Sequence, residues 1–180
     1  MTAEHLVLLV NDIPDHAAMY ARTLAAHGFR VHLVRSGRDA LDLVRRTLPA
    51  CAIIDLRLPD MSGWELCRRM KSRAGGTGLR IVVLTPELSR TCAIDSARAG
   101  CDAWLTHPTI AEDLVRTVKR VLALERSAPA SPDEALLGVV ACAACGSEEV
   151  RPTLRMSSIQ YYCCTTCGFC WRVELLQPAS

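Results

Sequence analysis

An apolar run that ends in a carboxylate lies in the first half of the chain. With the loop that follows, it reads Ile53-Ile54-Asp55-Leu56-Arg57-Leu58-Pro59-Asp60-Met61-Ser62-Gly63. The apolar residues from Cys51 to Ile54 predict a strand that is covered on both faces, because such strands are nearly continuous apolar runs. Asp55 is therefore predicted to stand at the carboxyl end of a buried strand.

Around this stretch, residues 5–124 alternate short β-branched runs with amphipathic helical segments. Five strand–helix pairs are predicted, with strands at Leu6–Val10, Arg30–Val34, Cys51–Asp55, Ile81–Leu84 and Asp102–Leu105. The first helix should begin near Pro14 and end before Gly28, and the fourth should end before Gly100. Repeated βαβ units of this kind predict an α/β fold with a five-stranded, doubly wound parallel sheet.

Polar residues end or follow four of these predicted strands. They are Asn11 and Asp12, then Asp55, then Thr85, and finally Thr106 and His107, which are followed by Pro108. Ligands of an open parallel sheet bind at the carboxyl ends of its strands, where these side chains should converge. Two carboxylates there repel each other unless a divalent cation lies between them, and oxygen ligands favour Mg²⁺. A Mg²⁺-bound carboxylate would also be a nucleophile toward phosphorus.

Residues 5–124 resemble the receiver domain of bacterial two-component response regulators. The resemblance rests on residues 53–63, on Val83-Leu84-Thr85 and on Trp104-Leu105-Thr106-His107-Pro108. It implies a flavodoxin-like receiver fold. It also implies that Asp55 accepts a phosphoryl group from a sensor histidine kinase or phosphotransfer protein. The chain would then be a phosphoacceptor with no independent catalytic activity.

The resemblance also assigns roles around Asp55. Asp12 and Asp55 would bind Mg²⁺ with the main-chain carbonyl of Arg57, and Asn11 would lie in the outer shell of the metal. Thr85 would be the switch hydroxyl. Its movement toward the phosphoryl group would let the switch aromatic, Trp104, turn inward and alter the surface of the fourth and fifth helices.

Three residues depart from the receiver pattern. Asn11 replaces the first residue of the usual acidic pair, which should weaken Mg²⁺ binding. His107 stands where lysine is usual and would give a weaker, pH-dependent ion pair. Pro86 follows the threonine, where it removes a backbone donor and restricts Thr85 to extended geometry. These departures leave an alternative open, a degenerate pseudo-receiver that acts as a phosphorylation-independent adaptor.

A cysteine-rich segment ends the chain. The chain contains the motifs Cys142-Ala-Ala-Cys145-Gly146 and Cys164-Thr-Thr-Cys167-Gly168, and 18 residues lie between Cys145 and Cys164, as expected of a Cys₄ zinc site. The segment resembles a zinc ribbon that depends on Zn²⁺ for its stability. Cys163 and Cys170 remain as spare or oxidisable thiols, although Cys167 and Cys170 form a further CxxC. An iron–sulfur cluster is the alternative.

Three segments are predicted: a receiver-like domain at 1–125, a linker at 126–140 and the ribbon-like module at 141–180. The net charge of +2 excludes a strongly basic chain. Three basic and three acidic residues balance in the ribbon, which argues against nucleic acid and favours an unknown protein partner. A third possibility, a DNA-binding transcription regulator, would need a strong salt-dependent affinity that this charge does not predict. The sequence suggests no signal peptide or membrane anchor, and a cytoplasmic location is expected.

Overall fold

The computed structural model describes residues 5–73, 78–85, 95, 98–106, 109–123, 148–156, 159–164 and 170–174. Eight strands lie in these ranges: β1 (Leu6–Val10), β2 (Arg30–Val34), β3 (Cys51–Asp55), β4 (Arg80–Thr85), β5 (Ala103–Thr106), β6 (Val150–Met156), β7 (Ile159–Cys164) and β8 (Cys170–Glu174). Four helices are α1 (Pro14–Ala26), α2 (Gly37–Arg46), α3 (Gly63–Arg73) and α4 (Ala111–Ala123). The fourth predicted helix lies largely outside the described residues, so α4 corresponds to the fifth.

The strands form one sheet in the order β2-β1-β3-β4-β5-β8-β7-β6. The first five are parallel, which confirms the predicted five-stranded parallel sheet. β1 and β3 are fully buried, whereas β2 is an edge strand in which every position is exposed or partly exposed. Every predicted strand lies within two residues of its expected bounds. Gly28 and Gly100 have φ angles of 86° and 73°. This is the left-handed conformation expected after α1 and after the fourth predicted helix.

The core lies on both faces of the sheet. On one face, Tyr20 and Leu24 of α1 pack with the inner side of α4 in a group that we call the α1/α4 cluster. On the other face, α2 and α3 pack in a group that includes Leu66, Met70 and Trp104 and that we call the α2/α3 cluster. Helices on both faces cover a parallel sheet, as the doubly wound pattern requires.

A buried carboxylate fixes the amino-terminal end of β5. Asp102 is 3% exposed and accepts hydrogen bonds from Lys71 Nζ at 2.8 Å, Arg80 Nη1 at 3.2 Å and the backbone N–H of Ile81 at 2.8 Å. Two cations and a backbone donor compensate for the cost of burying this charge. The network therefore ties α3 and β4 to β5 at the edge of the sheet opposite Asp55.

The C-terminal strands continue the parallel sheet. β8 pairs antiparallel with β5, where Ala103 faces Trp171 and Trp104 faces Cys170, and β7 and β6 extend the sheet beyond β8. The sequence did not predict that these strands pair with β5. The predicted linker and the predicted zinc ligands Cys142, Cys145 and Cys167 lie outside the described residues, so the domain division and the zinc module stay predictions. Within the described residues, no helix is long and apolar enough to cross a membrane.

Candidate functional site

Asp55 is the last residue of β3 and lies at the carboxyl edge of the parallel sheet, with 6% of its surface exposed. The first residue of α3, Gly63, packs directly behind it and donates its backbone N–H to the Leu56 carbonyl at 3.0 Å. A Cβ atom at position 63 would lie 2.6 Å from the Asp55 carbonyl oxygen and 2.7 Å from Leu56 Cα. Glycine is thus required for the loop to close tightly beneath Asp55.

Both carboxylate oxygens of Asp55 accept hydrogen bonds. Oδ1 accepts from the backbone N–H of Arg57 at 3.0 Å, and Oδ2 accepts from the Asn11 side-chain amide at 3.2 Å. Asn11 is fully buried after β1, and its own Oδ1 accepts from the Ile13 backbone N–H at 2.9 Å. The asparagine therefore attracts the Asp55 carboxylate, whereas a second carboxylate at this position would repel it.

The oxygen donors at this edge of the sheet fit a hard cation. Asp12 follows Asn11 and is exposed, and Asp55 carries the second carboxylate. With the main-chain carbonyl of Arg57, they offer the oxygen set that Mg²⁺ prefers. The Asn11 amide is neutral, and its oxygen already accepts from Ile13, so the two aspartates supply all the side-chain charge of this donor set.

Strand register brings the predicted switch residues to the same edge. Leu84 is the Cα partner of Asp55, so Thr85 stands one residue beyond it on the neighbouring strand. Thr85 is 1% exposed and pairs with Thr106 of β5. Trp104 is also 1% exposed and lies in the α2/α3 cluster, so its side chain is already inside the protein. The three remaining residues that the sequence singled out, Pro86, His107 and Pro108, lie outside the described residues.

Sequence reasoning missed Tyr20. This residue is fully buried on α1, and its hydroxyl donates to the Thr109 carbonyl at 3.3 Å, just beyond His107 and Pro108. Burial raises the pKa of Tyr20; the hydrogen bond to Thr109 opposes this shift and the Asp55 charge adds to it. Its spacing with Ala17 and Leu24 marks the inner face of a helix, but no sequence signal identifies a partner 89 residues away.

Neighbouring cysteines on β7 point to opposite faces of the sheet, as successive strand residues do. Cys164 is 2% exposed and belongs to the α1/α4 cluster, whereas Cys163 packs against the α2/α3 cluster. Cys163 is disulfide-bonded. Among the described residues, no group of three or more His, Cys, Asp or Glu side chains could hold a metal ion. Cys164 is the only predicted zinc ligand in this part of the chain.

The parallel strand order β2-β1-β3-β4-β5, with helices on both faces, defines the class of flavodoxin-like α/β domains. Residues 7–119 match the response regulator receiver domain model, and the chain belongs to that family. The C-terminal strands lie beyond this match.

Relatives and solved structures agree with this family. The chain is 32% identical to response regulator MprA of Mycolicibacterium vanbaalenii over 116 residues, 64% of this chain and 49% of MprA. It is 30% identical over 129 residues to DNA-binding response regulator MtrA of Mycolicibacterium smegmatis, 72% of this chain and 55% of MtrA. The chain spans about half the length of the relatives it matches. The chemotaxis protein CheY4 of Vibrio cholerae superposes with a TM-score of 0.63 at 28% identity, covering 66% of this chain and 99% of CheY4.

Proposed function

We propose that this chain is a two-component response regulator that accepts a phosphoryl group on Asp55 from a sensor histidine kinase or phosphotransfer protein. The observation that carries the proposal is the geometry of Asp55, a nearly buried carboxylate at the carboxyl edge of a receiver sheet, held by Arg57 N–H and Asn11. Membership of the receiver family supports a phosphoacceptor role for this carboxylate. The protein acts as a phosphoacceptor, not as an independent enzyme, and is cytoplasmic.

In the transfer step, a carboxylate oxygen of Asp55 attacks phosphorus while the bond from phosphorus to the donor histidine breaks. Asp12, Asp55 and the Arg57 carbonyl would hold Mg²⁺, which when bound would neutralise charge on the phosphoryl group. The Arg57 N–H and the Asn11 amide hold the carboxylate in a fixed orientation before attack. Thr85 provides a hydroxyl for the transferred group, and His107 provides a pH-dependent cation.

The signal passes from Thr85 to the C-terminal strands through β5. Support comes from the register, in which Thr85 pairs with Thr106, and Trp104 pairs with Cys170 of β8. A rearrangement of Trp104 would act directly on the strand to which the C-terminal segment is attached. These strands, with their ribbon-like segment, are the output module and bind a protein partner.

A second candidate function is favoured by the contact between Asn11 and Asp55. Because the amide already satisfies one carboxylate oxygen, the site is stable without phosphate. The chain would then be a pseudo-receiver adaptor that binds partners regardless of phosphorylation.

Incubation of the purified chain with acetyl phosphate and Mg²⁺ distinguishes the two functions by intact mass. We expect one phosphoryl adduct on the wild type and none on Asp55→Asn. Asp60→Asn is the matched control, because Asp60 lies in the same loop but bonds to the backbone of α2. A wild type that stays unmodified under these conditions would contradict phosphoryl acceptance on Asp55 and favour the adaptor function.

The zinc module is a separate part of the proposal. Cys142, Cys145, Cys164 and Cys167 would bind one Zn²⁺, because two CxxC pairs with trailing glycines offer four thiolates to one ion. Metal analysis of the purified chain should give one zinc per chain, and Cys142→Ser should lower that content. Iron with visible absorption would instead indicate an iron–sulfur cluster. A chain without bound metal would contradict the zinc module.

A further inference from the structure

The disulfide at Cys163 is not used by the proposed phosphoryl transfer. Cys163 lies on β7, is partly exposed and packs against the α2/α3 cluster, the cluster that contains Trp104. Partly exposed disulfides are the ones that reductants reach most easily, because exchange requires access of a thiolate to sulfur. Oxidants and thiol reductants in solution can therefore reach the disulfide at Cys163.

Register identifies its partner. Cys170 of β8 is the Cα partner of Cys163 in the antiparallel pair. Directly opposed residues of antiparallel strands have Cα atoms about 4.5–5.5 Å apart, within the range that a disulfide requires. On its other side, Cys163 faces Arg151 of β6, which cannot form such a bond.

Cys163 and Cys170 lie in the same cross-strand row of paired residues as Trp104. Trp104 of β5 pairs with Cys170 of β8, and Cys170 pairs with Cys163 of β7. Adjacent strands are about 4.8 Å apart, so the two cysteines stand one and two strands from Trp104. A bond between β7 and β8 at this row acts next to the two residue pairs that join β8 to β5.

We propose that Cys163 and Cys170 form a reversible disulfide that fastens β8 to β7 beside Trp104, making the attachment of the C-terminal strands to β5 sensitive to oxidation. The oxidant is a hydroperoxide. One thiolate attacks the peroxide O–O bond and becomes a sulfenic acid as an alcohol or water leaves. The other thiolate then attacks that sulfur and expels water, so two thiols lose two electrons and two protons in all. A dithiol reductant reverses the reaction by thiol–disulfide exchange.

Peptide mapping of the full-length chain tests this pairing, with its bound metal retained. The chain is reduced, then treated with hydrogen peroxide, alkylated and cleaved after Phe169, which separates Cys170 from Cys163. We expect a cross-link between the two resulting peptides that Cys163→Ser and Cys170→Ser abolish and Cys164→Ser retains. A bond from Cys163 to Cys142, Cys145 or Cys167, or two alkylated thiols after peroxide treatment, would overturn the pairing.

Hydrogen exchange on the same samples tests whether the disulfide holds β8 to β7. Reduction should speed amide exchange in residues 170–174 on the order of tenfold or more, because the bond closes a short loop. Exchange in β1 should not change. Equal exchange of β8 in both redox states would contradict the fastening. Repeating both measurements on Asp55→Asn separates this proposal from the proposed function, since neither readout involves phosphoryl transfer.

Discussion

At the scale of single residues, the chemistry of Asp55 depends on what stands at position 11. The buried amide of Asn11 donates to Asp55 Oδ2 at 3.2 Å, so this pair is attractive without a metal ion. An acidic pair would be repulsive and would need a cation between its members. Asparagine at position 11 therefore offers less negative charge to Mg²⁺ than aspartate would, but its amide donates a hydrogen bond that orients the Asp55 carboxylate.

Asn11→Asp should make folding stability depend on Mg²⁺. In EDTA, the new carboxylate would face Asp55 without a donor, and the free energy of unfolding should fall by about 1–3 kcal/mol. Millimolar Mg²⁺ should recover most of this loss by binding the folded state alone. Urea unfolding in EDTA and in Mg²⁺ measures both effects.

Asn11→Ala is the control, because it removes the hydrogen bond without adding a charge. It should be destabilised to a similar extent in both buffers. If Asn11→Asp showed no greater response to Mg²⁺ than Asn11→Ala, residue 11 would not face the cation site.

Gly63 and Gly37 give a matched pair of glycine substitutions. Gly63→Ala would place its Cβ within 2.7 Å of backbone atoms of Asp55 and Leu56. For Gly37→Ala, the three nearest atoms all belong to the flexible Met61 side chain, the closest at 2.6 Å. We expect Gly63→Ala to cost about 2 kcal/mol or more, since the backbone must shift. Gly37→Ala should cost less than about 1 kcal/mol, because alanine favours the helix and Met61 can move. Equal costs in urea unfolding would contradict the close packing behind Asp55.

A buried hydroxyl on β5 provides another test. Thr106 Oγ1 is buried and has no hydrogen-bond partner among the described residues, whereas Thr117 Oγ1 donates to the Asp113 carbonyl at 2.8 Å. Thr106→Val should leave stability unchanged or raise it, because no bond is lost. Thr117→Val should lower it by about 1 kcal/mol. A larger loss for Thr106→Val in thermal unfolding would mean that its hydroxyl is bonded in solution.

At the scale of elements, the loop after Asp55 is tied to the start of α2. The Asp60 carboxylate accepts from the backbone N–H groups of Gly37 and Arg38 at 2.8 and 2.9 Å, and Ser36 accepts from Asp39 N–H at the same helix end. Desolvation acts against ionisation of Asp60, but the hydrogen bonds from Gly37 and Arg38 prevail and hold its pKa below the ordinary value. The Asp60 carboxylate therefore couples α2 to the loop that follows Asp55.

Asp60→Asn should weaken this coupling by about 1 kcal/mol at neutral pH. Because the folded-state pKa is lowered, the contribution of the carboxylate is present above about pH 4 and is lost as the pH falls through the folded value. The wild type and Asp60→Asn should therefore converge in stability at acid pH. Their unfolding free energies between neutral and acid pH measure this.

Asp42→Asn is the control on the same helix. Its ion pair with Arg45 leaves both side chains at least half exposed, so its effect should stay below about 0.5 kcal/mol. A difference between the wild type and Asp60→Asn that persists undiminished at low pH would show that the carboxylate charge does not cap α2.

At the scale of the whole molecule, the sequence predicted the part of the fold that repeats. Continuous apolar runs such as Leu6–Val10 and Cys51–Asp55 marked the inner strands, because burial on both faces leaves no polar position. The convergence of Asn11 and Asp55 followed from the rule that parallel strands end at one edge. The direction of the Asn11 amide did not follow, because it depends on the Ile13 N–H that occupies the amide oxygen.

The pairing of β8 with β5 could not be predicted from the sequence. It joins strands more than 60 residues apart, and only two residue pairs define it. The contact of Tyr20 with Thr109 is equally remote along the chain, at 89 residues. Local periodicity specifies an element and its buried face, but a partner at such separation is set by tertiary packing.

Amide exchange of the full-length chain before and after phosphorylation tests most directly whether Asp55 is coupled to the C-terminal strands. The chain is treated with acetyl phosphate and Mg²⁺, and intact mass on the same sample gives the phosphorylated fraction, with Asp55→Asn as the control. We expect exchange to change together in Ala103–Thr106 and Cys170–Glu174 of the phosphorylated chain, while Arg30–Val34 stays unchanged. A chain that takes no phosphoryl group, or one that is fully phosphorylated with unaltered exchange in β5 and β8, would contradict the proposed response regulator.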